Sequence, residues 1–157
     1  MRSAGCAGVC GSRAAGCMPG SGGRIYLFMT GGPHTFRVIY TDGRSHSKTV
    51  DPSYFGHSIG WWDGDTLVID SVGFTDESWL GWPGYLHSNN MRVVERVSRN
   101  GNQLTWQFTI HDPDTLMQPW AMNPIRRQLN ANPKALLTED LPCEARDNKH
   151  IVTRERG

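Results

Sequence analysis

A histidine and an aspartate at the two ends of one short segment are the residues of this chain best placed to do chemistry. Residues 57–71 read His-Ser-Ile-Gly-Trp-Trp-Asp-Gly-Asp-Thr-Leu-Val-Ile-Asp-Ser. Asp63 and Gly64 lie between two alternating apolar runs, which predicts a β-hairpin with these two residues as its loop. In that register His57 is directly opposite Asp70, as a non-hydrogen-bonded pair with Cβ atoms about 4.5–5.5 Å apart.

This pairing predicts an oriented imidazole. A carboxylate beside one ring nitrogen fixes the tautomer and stabilises the imidazolium, which leaves the other nitrogen to act as base or acid near neutral pH. His57 is therefore a candidate general base and Asp70 the group that orients it. The alternative is that the pair is a structural hydrogen bond at one end of a sheet. Titratable groups with unusual surroundings occur at functional sites, but they also occur in purely structural contacts.

A second carboxylate stands out because it falls among apolar side chains. Two strands are predicted in residues 91–111, joined at Asn100 and Gly101, and alternation places Glu95 on their apolar face opposite Trp106. A carboxylate there loses water and must be protonated or meet a cation. Glu95 is thus either a candidate general acid or one half of a buried ion pair with an Arg or His from another strand.

The long irregular segment 73–90 is expected to carry function, because such loops are uncommon in compact domains. His87, near its end, is a further candidate acid. Aromatic side chains at the mouth of a barrel can hold apolar or sugar-like ligands, or they can plug the barrel as a minor core. The candidate substrate-binding residues are Trp79, Trp82, Tyr85 and Trp120. The remaining histidines are expected to be solvated: His34, His46, His111 and His150.

Composition limits the classes of partner. The chain has 157 residues, a length typical of one domain with its own core. Its 16 basic and 15 acidic residues give a net charge of +1 without any block of like charge. This balance argues against nucleic acid or an anionic membrane as the partner. No apolar run approaches about 18 residues, so no membrane-spanning helix is predicted. We expect a small-molecule substrate or ligand.

Hydrophobic periodicity divides the chain into a body between two tails. Residues 1–23 are rich in Gly, Ala, Ser and Cys, so we predict a flexible tail that cannot bury enough apolar surface to become ordered. Residues 24–148 alternate with period two and form the predicted β-domain, and residues 149–157 form a charged tail. Turns spaced about 10–15 residues apart favour an all-β fold, an antiparallel meander closed into a barrel or half-barrel.

Two strand pairs outside the first hairpin set further expectations. Residues 24–30 and 35–41 are predicted to pair so that their alternating apolar residues share one face: Ile25, Leu27, Met29, Phe36, Val38 and Tyr40. Residues 120–129 and 135–141 are predicted to form the last pair, with Pro124 confining part of the first strand to an edge or a bulge.

The cysteines predict neither a zinc site nor a cofactor. Their positions are Cys6, Cys10, Cys17 and Cys143, a spacing that matches no common zinc pattern. One disulfide from the N-terminal segment to Cys143 is an alternative that leaves two thiols over. A metal set of His57, His87 and Glu95 has no spacing signature to support it.

Several motifs are similar to those of a family of small secreted bacterial proteins of unassigned function. The most distinctive is Gly-His-Ser-Ile-Gly-Trp-Trp-Asp-Gly-Asp-Thr-Leu-Val-Ile-Asp-Ser-Val-Gly-Phe at residues 56–74. The other matching motifs are Ile-Tyr-Thr-Asp-Gly-Arg at 39–44, Trp79-Leu80, His87-Ser88, Val94-Glu95-Arg96, Ile110 with Asp112-Pro113, Pro119-Trp120 and Cys143-Glu144. The resemblance spans roughly residues 24–148.

What this resemblance implies is an all-β, lipocalin-like meander, without any named activity. The matching positions include His57, Asp70, His87 and Glu95. Family members begin with a signal peptide and an early Gly-x-Trp strand, which residues 1–23 replace here, and those residues lack an apolar h-region. The resemblance implies a secreted or periplasmic location, and a barrel that lacks an edge strand or completes it in a homodimer.

The sequence thus favours a small-molecule enzyme, a hydrolase or lyase, working by general acid–base chemistry in an aromatic-lined β-barrel. His57 would be the base, Asp70 its orienting group, and Glu95 or His87 the acid. A non-catalytic protein that binds an apolar or carbohydrate ligand is the alternative, and a structural module with an open sheet edge is a third interpretation.

Overall fold

A computed structural model describes residues 15–20, 22–29, 35–80, 85–132 and 134. Within them the fold is all-β and contains no helix, which confirms the predicted class. The nine strands are β1 (Ala15–Gly20), β2 (Arg24–Met29), β3 (Thr35–Tyr40), β4 (His57–Asp63), β5 (Thr66–Val72), β6 (Arg92–Asn100), β7 (Gln103–His111), β8 (Trp120–Ala121) and β9 (Ile125–Gln128).

All nine strands belong to one sheet, in the order of the sequence from β1 to β8, with β9 also pairing with β7. Neighbouring strands are antiparallel except for β3 and β4, which run parallel. A parallel pair cannot be joined by a tight turn, so residues 41–56 form a long connection. The meander is therefore interrupted once. Ala15–Gly20, part of the predicted tail, lies in the sheet as β1.

The two ends of the described sheet do not meet. β1 pairs only with β2, whereas β8 and β9 both add to β7 at the opposite edge. Over the residues that the structure describes, no hydrogen-bonded pair joins β1 to β8 or β9, so the sheet is open.

The turns of the two long hairpins lie one residue later than predicted. Gly64 and Gly101 occupy the first loop position with φ of 61° and 56°, and no described residue other than glycine has a positive φ. This is the pattern of a type II′ turn, in which only the first central residue needs a positive φ. Pairing consequently shifts by two residues, and Asp70 faces Ile59 rather than His57. The faces of both hairpins are unchanged, since side-chain direction has period two.

The β2–β3 pairing differs from the prediction by one residue, which has a larger effect. Ile25 pairs with Ile39, and Leu27 pairs with Arg37. A shift of one residue turns a whole strand over. Phe36, Val38 and Tyr40 therefore lie on the face opposite Ile25, and the predicted shared face is wrong.

The core lies on one side of the sheet. Ile25, Ile39, Leu67 and Ile69 form a buried cluster, with Leu27 and Val97 packed against it. We call this side, which also carries Glu95, the core face. The other side carries Tyr40, His57 and Asp70, and we call it the loop face because His46, from the 41–56 connection, contacts it.

Only the first strand of the predicted C-terminal pair lies in the described part of the chain. Residues 120–129 form two short strands, β8 and β9, separated around Pro124. Residues 135–141, Cys143 and the tail 149–157 lie outside the described residues. Among the residues with a described structure, no helix is long and apolar enough to cross a membrane.

Candidate functional site

His57 and Asp70 share the loop face, but they are diagonal rather than direct neighbours. His57 pairs with Val72, and Asp70 pairs with Ile59. Diagonal positions on neighbouring strands are about 7–8 Å apart, too far for a direct hydrogen bond between short side chains. The predicted direct contact is therefore wrong, and a third side chain lies between the two residues.

That third side chain is His46. Its Nδ1 lies 2.9 Å from Nδ1 of His57, and its Nε2 lies 3.5 Å from Oδ2 of Asp70. His46 was expected to be solvated, but its side chain is only 18% exposed. Asp70, His46 and His57 form one continuous series of side chains, which we call the histidine relay.

The proton positions of the histidine relay depend on the tautomer of His46. The two Nδ1 atoms share a single hydrogen, so one donates and the other accepts. Nε2 of His46 is buried, and no hydrogen-bond partner for it occurs in the described chain. Oδ2 of Asp70 is 3.5 Å from it, so a proton on this nitrogen is stabilised by the charge of Asp70 rather than by a hydrogen bond. In that tautomer the neutral His46 accepts at Nδ1, so His57 donates from Nδ1 and keeps a lone pair on Nε2.

Asp70 is held in place by Arg92. The guanidinium donates from Nε to Oδ1 at 2.8 Å and from Nη2 to Oδ2 at 2.9 Å. Asp70 is 6% exposed, whereas the Arg92 side chain is 52% exposed. A bidentate hydrogen bond to arginine fixes the plane of a carboxylate and also stabilises its negative charge. The orientation of Asp70, and through it that of His46, is therefore set from β6.

A second set of contacts acts on the ring of His57. Tyr40 stacks on it with a centroid separation of 5.3 Å, and the guanidinium of Arg44 lies 4.0 Å from the Tyr40 centroid. Arg44 is itself paired with Asp42 at 2.6 Å. Burial lowers the pKa of His57 below its usual 6.5, and the nearby His46 and Arg44 lower it further. Near neutral pH the imidazole of His57 is thus predominantly uncharged, the form that can accept a proton.

Glu95 lies on the core face, on the other side of the sheet from the histidine relay. It is 1% exposed and is met by Arg37, whose Nη2 donates to Oε1 at 2.5 Å. Nε1 of Trp106 donates to Oε2 at 2.9 Å. Of the two predictions for Glu95, the structure contains the buried ion pair. It does not bring Glu95 together with His57.

The partner of Glu95 is part of a larger polar cluster. Arg37 also donates to the hydroxyls of Ser58 at 2.8 Å and Ser71 at 2.6 Å, and these two hydroxyls are 3.0 Å apart. Ser58 and Ser71 are 1% and 0% exposed. This network supplies the cation and donors that a buried carboxylate needs, and it is enclosed within the sheet.

His87 lies apart from both groups, in the loop between β5 and β6. It is 6% exposed, its Nε2 is 2.8 Å from the hydroxyl of Ser78, and its Nδ1 is 3.1 Å from the carbonyl oxygen of Ser88. Both ring nitrogens are thus engaged locally, and neither is bonded to His57.

The candidate substrate-binding aromatics are associated with the His87 loop. Tyr85 and Trp120 pack edge to face with centroids 5.7 Å apart. Trp79 is 72% exposed. Trp82 lies outside the described residues. The aromatic partner of His57 is instead Tyr40, a residue that the sequence analysis assigned to the wrong face.

Three residues of these clusters escaped prediction: His46, Arg92 and Arg37. Arg92 lies three residues before Glu95 in the same strand, so alternation places it on the opposite face, a signal that could have suggested its pairing with Asp70. Arg37 has a usable signal, since it alternates with Phe36 and Val38 and must point away from them. His46 sits in an irregular connection, where no periodicity exists. Within the described part of the chain, no group of three or more His, Cys, Asp or Glu residues could hold a metal ion.

Neither family models, nor curated proteins, nor solved structures show a match to this chain. Function is therefore inferred from the side-chain geometry described above.

Proposed function

We propose that this protein is a small-molecule enzyme, a hydrolase or a lyase, that uses His57 as its general base. The observation that carries this proposal is the 2.9 Å contact between the Nδ1 atoms of His46 and His57. It engages one nitrogen of His57 in a fixed bond and directs the base function to the other nitrogen, Nε2. The lowered pKa of His57, caused first by burial, supports a base that is uncharged near neutral pH.

The proposed step for a hydrolase needs one imidazole. Nε2 of His57 takes a proton from water as the water oxygen attacks the substrate, and the imidazolium then returns that proton to the leaving group. In a lyase the same nitrogen removes a proton from carbon. The positive charge that forms on His57 is stabilised through His46 by the carboxylate of Asp70.

A small neutral substrate fits the charges around this base. Arg44 is compensated by Asp42, and Arg92 by Asp70, so two of the cations near the relay are already paired. The proposal assigns no acid role to Glu95, because it is paired with Arg37 on the core face. Nor does it assign one to His87, whose nitrogens face Ser78 and Ser88.

A non-catalytic binding protein is the second candidate. It is favoured by the exposed aromatic side chains at one end of the sheet, where Trp79 is 72% and Tyr85 55% exposed. Such surfaces suit an apolar or carbohydrate ligand. On this proposal the histidine relay is a structural support that ties the 41–56 connection to the sheet.

The resemblance of residues 56–74 to the family of small secreted bacterial proteins extends the proposal. It supports a lipocalin-like half-barrel as the shape of the open sheet, and a site of action outside the cytoplasm. Within the described residues β1 has a strand on one side only, which supports a homodimer formed by strand pairing, since such an edge can accept another strand.

The test is turnover of a panel of epoxides and glycosides by the wild type and by His57→Gln. We expect the substitution to reduce kcat/KM by about 10²–10⁴-fold, the usual contribution of a general base. The melting temperature should change by only a few degrees. His111→Gln is the matched control, because His111 makes none of the side-chain contacts of the relay, and its activity should equal that of the wild type.

Unchanged turnover in His57→Gln overturns the catalytic role. Absence of turnover by the wild type, together with a large loss of stability in His57→Gln, favours the structural role instead. Ligand-dependent tryptophan fluorescence that survives His57→Gln favours the binding protein.

A further inference from the structure

A second pairing of catalytic residue types lies in the loop between β5 and β6, independent of the histidine relay. Leu80 and Tyr85 form an antiparallel bridge, in which the Leu80 N–H donates to the Tyr85 carbonyl at 2.8 Å. This bridge draws the two segments of the loop together. Close to it, Oγ of Ser78 lies within hydrogen-bond distance of Nε2 of His87.

The contact between Ser78 and His87 has the geometry of a hydroxyl bound to a base. Oγ of Ser78 lies 2.8 Å from Nε2 of His87, whereas its other acceptor, the Thr75 carbonyl, is 3.4 Å away. Nδ1 of His87 faces the Ser88 carbonyl at 3.1 Å. Since a carbonyl can only accept, Nδ1 carries a proton, and Nε2 of the neutral ring accepts from the Ser78 hydroxyl.

The residue that orients His87 is itself held rigidly. Asp112 accepts the Ser88 N–H at 2.7 Å and the Ser88 hydroxyl at 2.7 Å. Asp112 is 2% exposed. Burial raises the pKa of Asp112, but the bonds from Ser88 and its other donors outweigh burial and bring the pKa below its usual value. A charged carboxylate therefore anchors Ser88, Ser88 orients His87, and His87 binds Ser78.

The same loop exposes large apolar side chains. Trp79 and Leu86 are 72% and 71% exposed, and Tyr85 packs on Trp120 beside them. Large apolar side chains clustered at the surface mark contacts with apolar ligands or partners. Here they lie next to a serine whose hydroxyl is polarised by a histidine, which matches a substrate with an apolar group beside its reacting centre.

We propose that Ser78 is a nucleophile, activated by His87, that cleaves esters with an apolar acyl group. As the bond between Oγ and the acyl carbon forms, the hydroxyl proton passes to Nε2 of His87. The bond from the acyl carbon to the alcohol oxygen then breaks, and Nε2 gives its proton to the departing alcohol. Water repeats both steps on the acyl-enzyme, releasing the carboxylic acid and restoring Ser78.

The experiment is labelling of the full chain with an alkyl fluorophosphonate, read by intact mass and by peptide mapping. We expect a single adduct on Ser78, no adduct in Ser78→Ala, and labelling slowed by about 10²-fold or more in His87→Gln. Ser47→Ala is the matched serine control and should label as the wild type does. Hydrolysis of p-nitrophenyl hexanoate should be faster than that of the acetate.

Mapping the adduct in the wild type decides the matter even if a variant folds poorly. No adduct on Ser78, or an adduct on another serine, shows that the Ser78–His87 bond only closes the loop. Equal labelling of wild type and folded Ser78→Ala has the same meaning. The adduct is read at Ser78, whereas the His57 proposal is tested by turnover of epoxides and glycosides, so the two outcomes are separate.

Discussion

The two faces of the sheet each bury a carboxylate, but they surround it differently. On the core face Glu95 is 1% exposed and is bound by Arg37 and Trp106, and the serines beside it also have partners. On the loop face Asp70 is bound by Arg92, whose side chain is half exposed, while Nε2 of His46 has no hydrogen-bond partner in the described chain. On the core face, the carboxylate therefore has both a counter-charge and hydrogen-bond donors. The loop face instead leaves a series of imidazoles through which a proton can be redistributed.

This difference indicates which of the two buried carboxylates is the better candidate for a functional site. Burial by itself does not distinguish the two, since both carboxylates are almost fully buried. What distinguishes them is the type of neighbour: arginine, tryptophan and serine do not change charge near neutral pH, whereas imidazoles do. We therefore associate Glu95 with stability, and we propose a function for the relay that begins at Asp70.

Breaking the core-face network should give the largest effect. In Glu95→Ala, Arg37 stays buried without its counter-charge, so we expect the free energy of unfolding to fall by about 3–5 kcal/mol. Urea denaturation measures this loss, and a value below about 1 kcal/mol would show that the ion pair is not needed for stability.

A paired substitution sharpens this prediction. Arg37→Leu combined with Glu95→Leu removes both charges at similar volume, and it should cost less than Glu95→Ala alone. A double variant that is less stable than the single one would show that the network contributes more than charge neutralisation.

Breaking the loop-face pair should cost less. In Asp70→Asn, Arg92 can turn its half-exposed guanidinium toward water, so we expect a loss of about 1–2 kcal/mol from the broken charged hydrogen bonds. Asp70 and Glu95 share no hydrogen-bond partner, and hence the double variant Asp70→Asn with Glu95→Ala should show additive losses in urea denaturation. Strongly non-additive losses would show that the two faces are coupled.

The free energy of unfolding should also depend on pH through His57, which lies on the loop face. Because the pKa of folded His57 lies below its usual 6.5, the unfolded chain binds a proton there that the folded chain does not. The contribution of His57 is therefore complete above pH 6.5 and is lost as the pH falls toward the folded pKa, by at most about 1.4 kcal/mol per pH unit. Unfolding free energies at about pH 7.5, 6.5 and 5.5 should show a steeper decline in the wild type than in His57→Gln. Equal slopes would contradict the lowered pKa.

The smallest effect is expected at the surface. Arg96 and Asp63 form an ion pair at 2.7 Å, with side chains 49% and 61% exposed. Water screens such a pair, so Arg96→Ala should change the unfolding free energy by less than about 1 kcal/mol. It serves as the reference for Glu95→Ala, and a loss comparable to that of Glu95→Ala would undermine the distinction between buried and exposed charge.

Sequence patterns predicted much of the strand layout, because alternation and glycine turns are local signals. The shared face of His57 and Asp70 survived an error of two residues in the register, since side chains repeat every two residues. For Tyr40, by contrast, an error of one residue in the register of β2 and β3 put the predicted side chain on the wrong face. The error of two residues came from the turn type, because the glycine was predicted at the second loop position and lies at the first.

The contacts between distant segments could not be predicted in the same way. The pairing of β5 with β6 places Glu95 and Asp70 on opposite faces, and the parallel pairing of β3 with β4 places Tyr40 on the face of His57. No local pattern encodes either pairing. His46 reaches the site from an irregular connection. The sequence could therefore suggest the residue types of the site, but not the side chain that joins His57 to Asp70.

The proposal that His57 is a neutral base with its lone pair on Nε2 can be tested by nitrogen-15 NMR of its imidazole. At about pH 7 we expect a protonated Nδ1, an unprotonated Nε2, and a titration midpoint below 6.5. His111 provides an internal reference in the same spectrum. A proton on Nε2 at that pH, or a midpoint above 6.5, would show that His57 is not such a base.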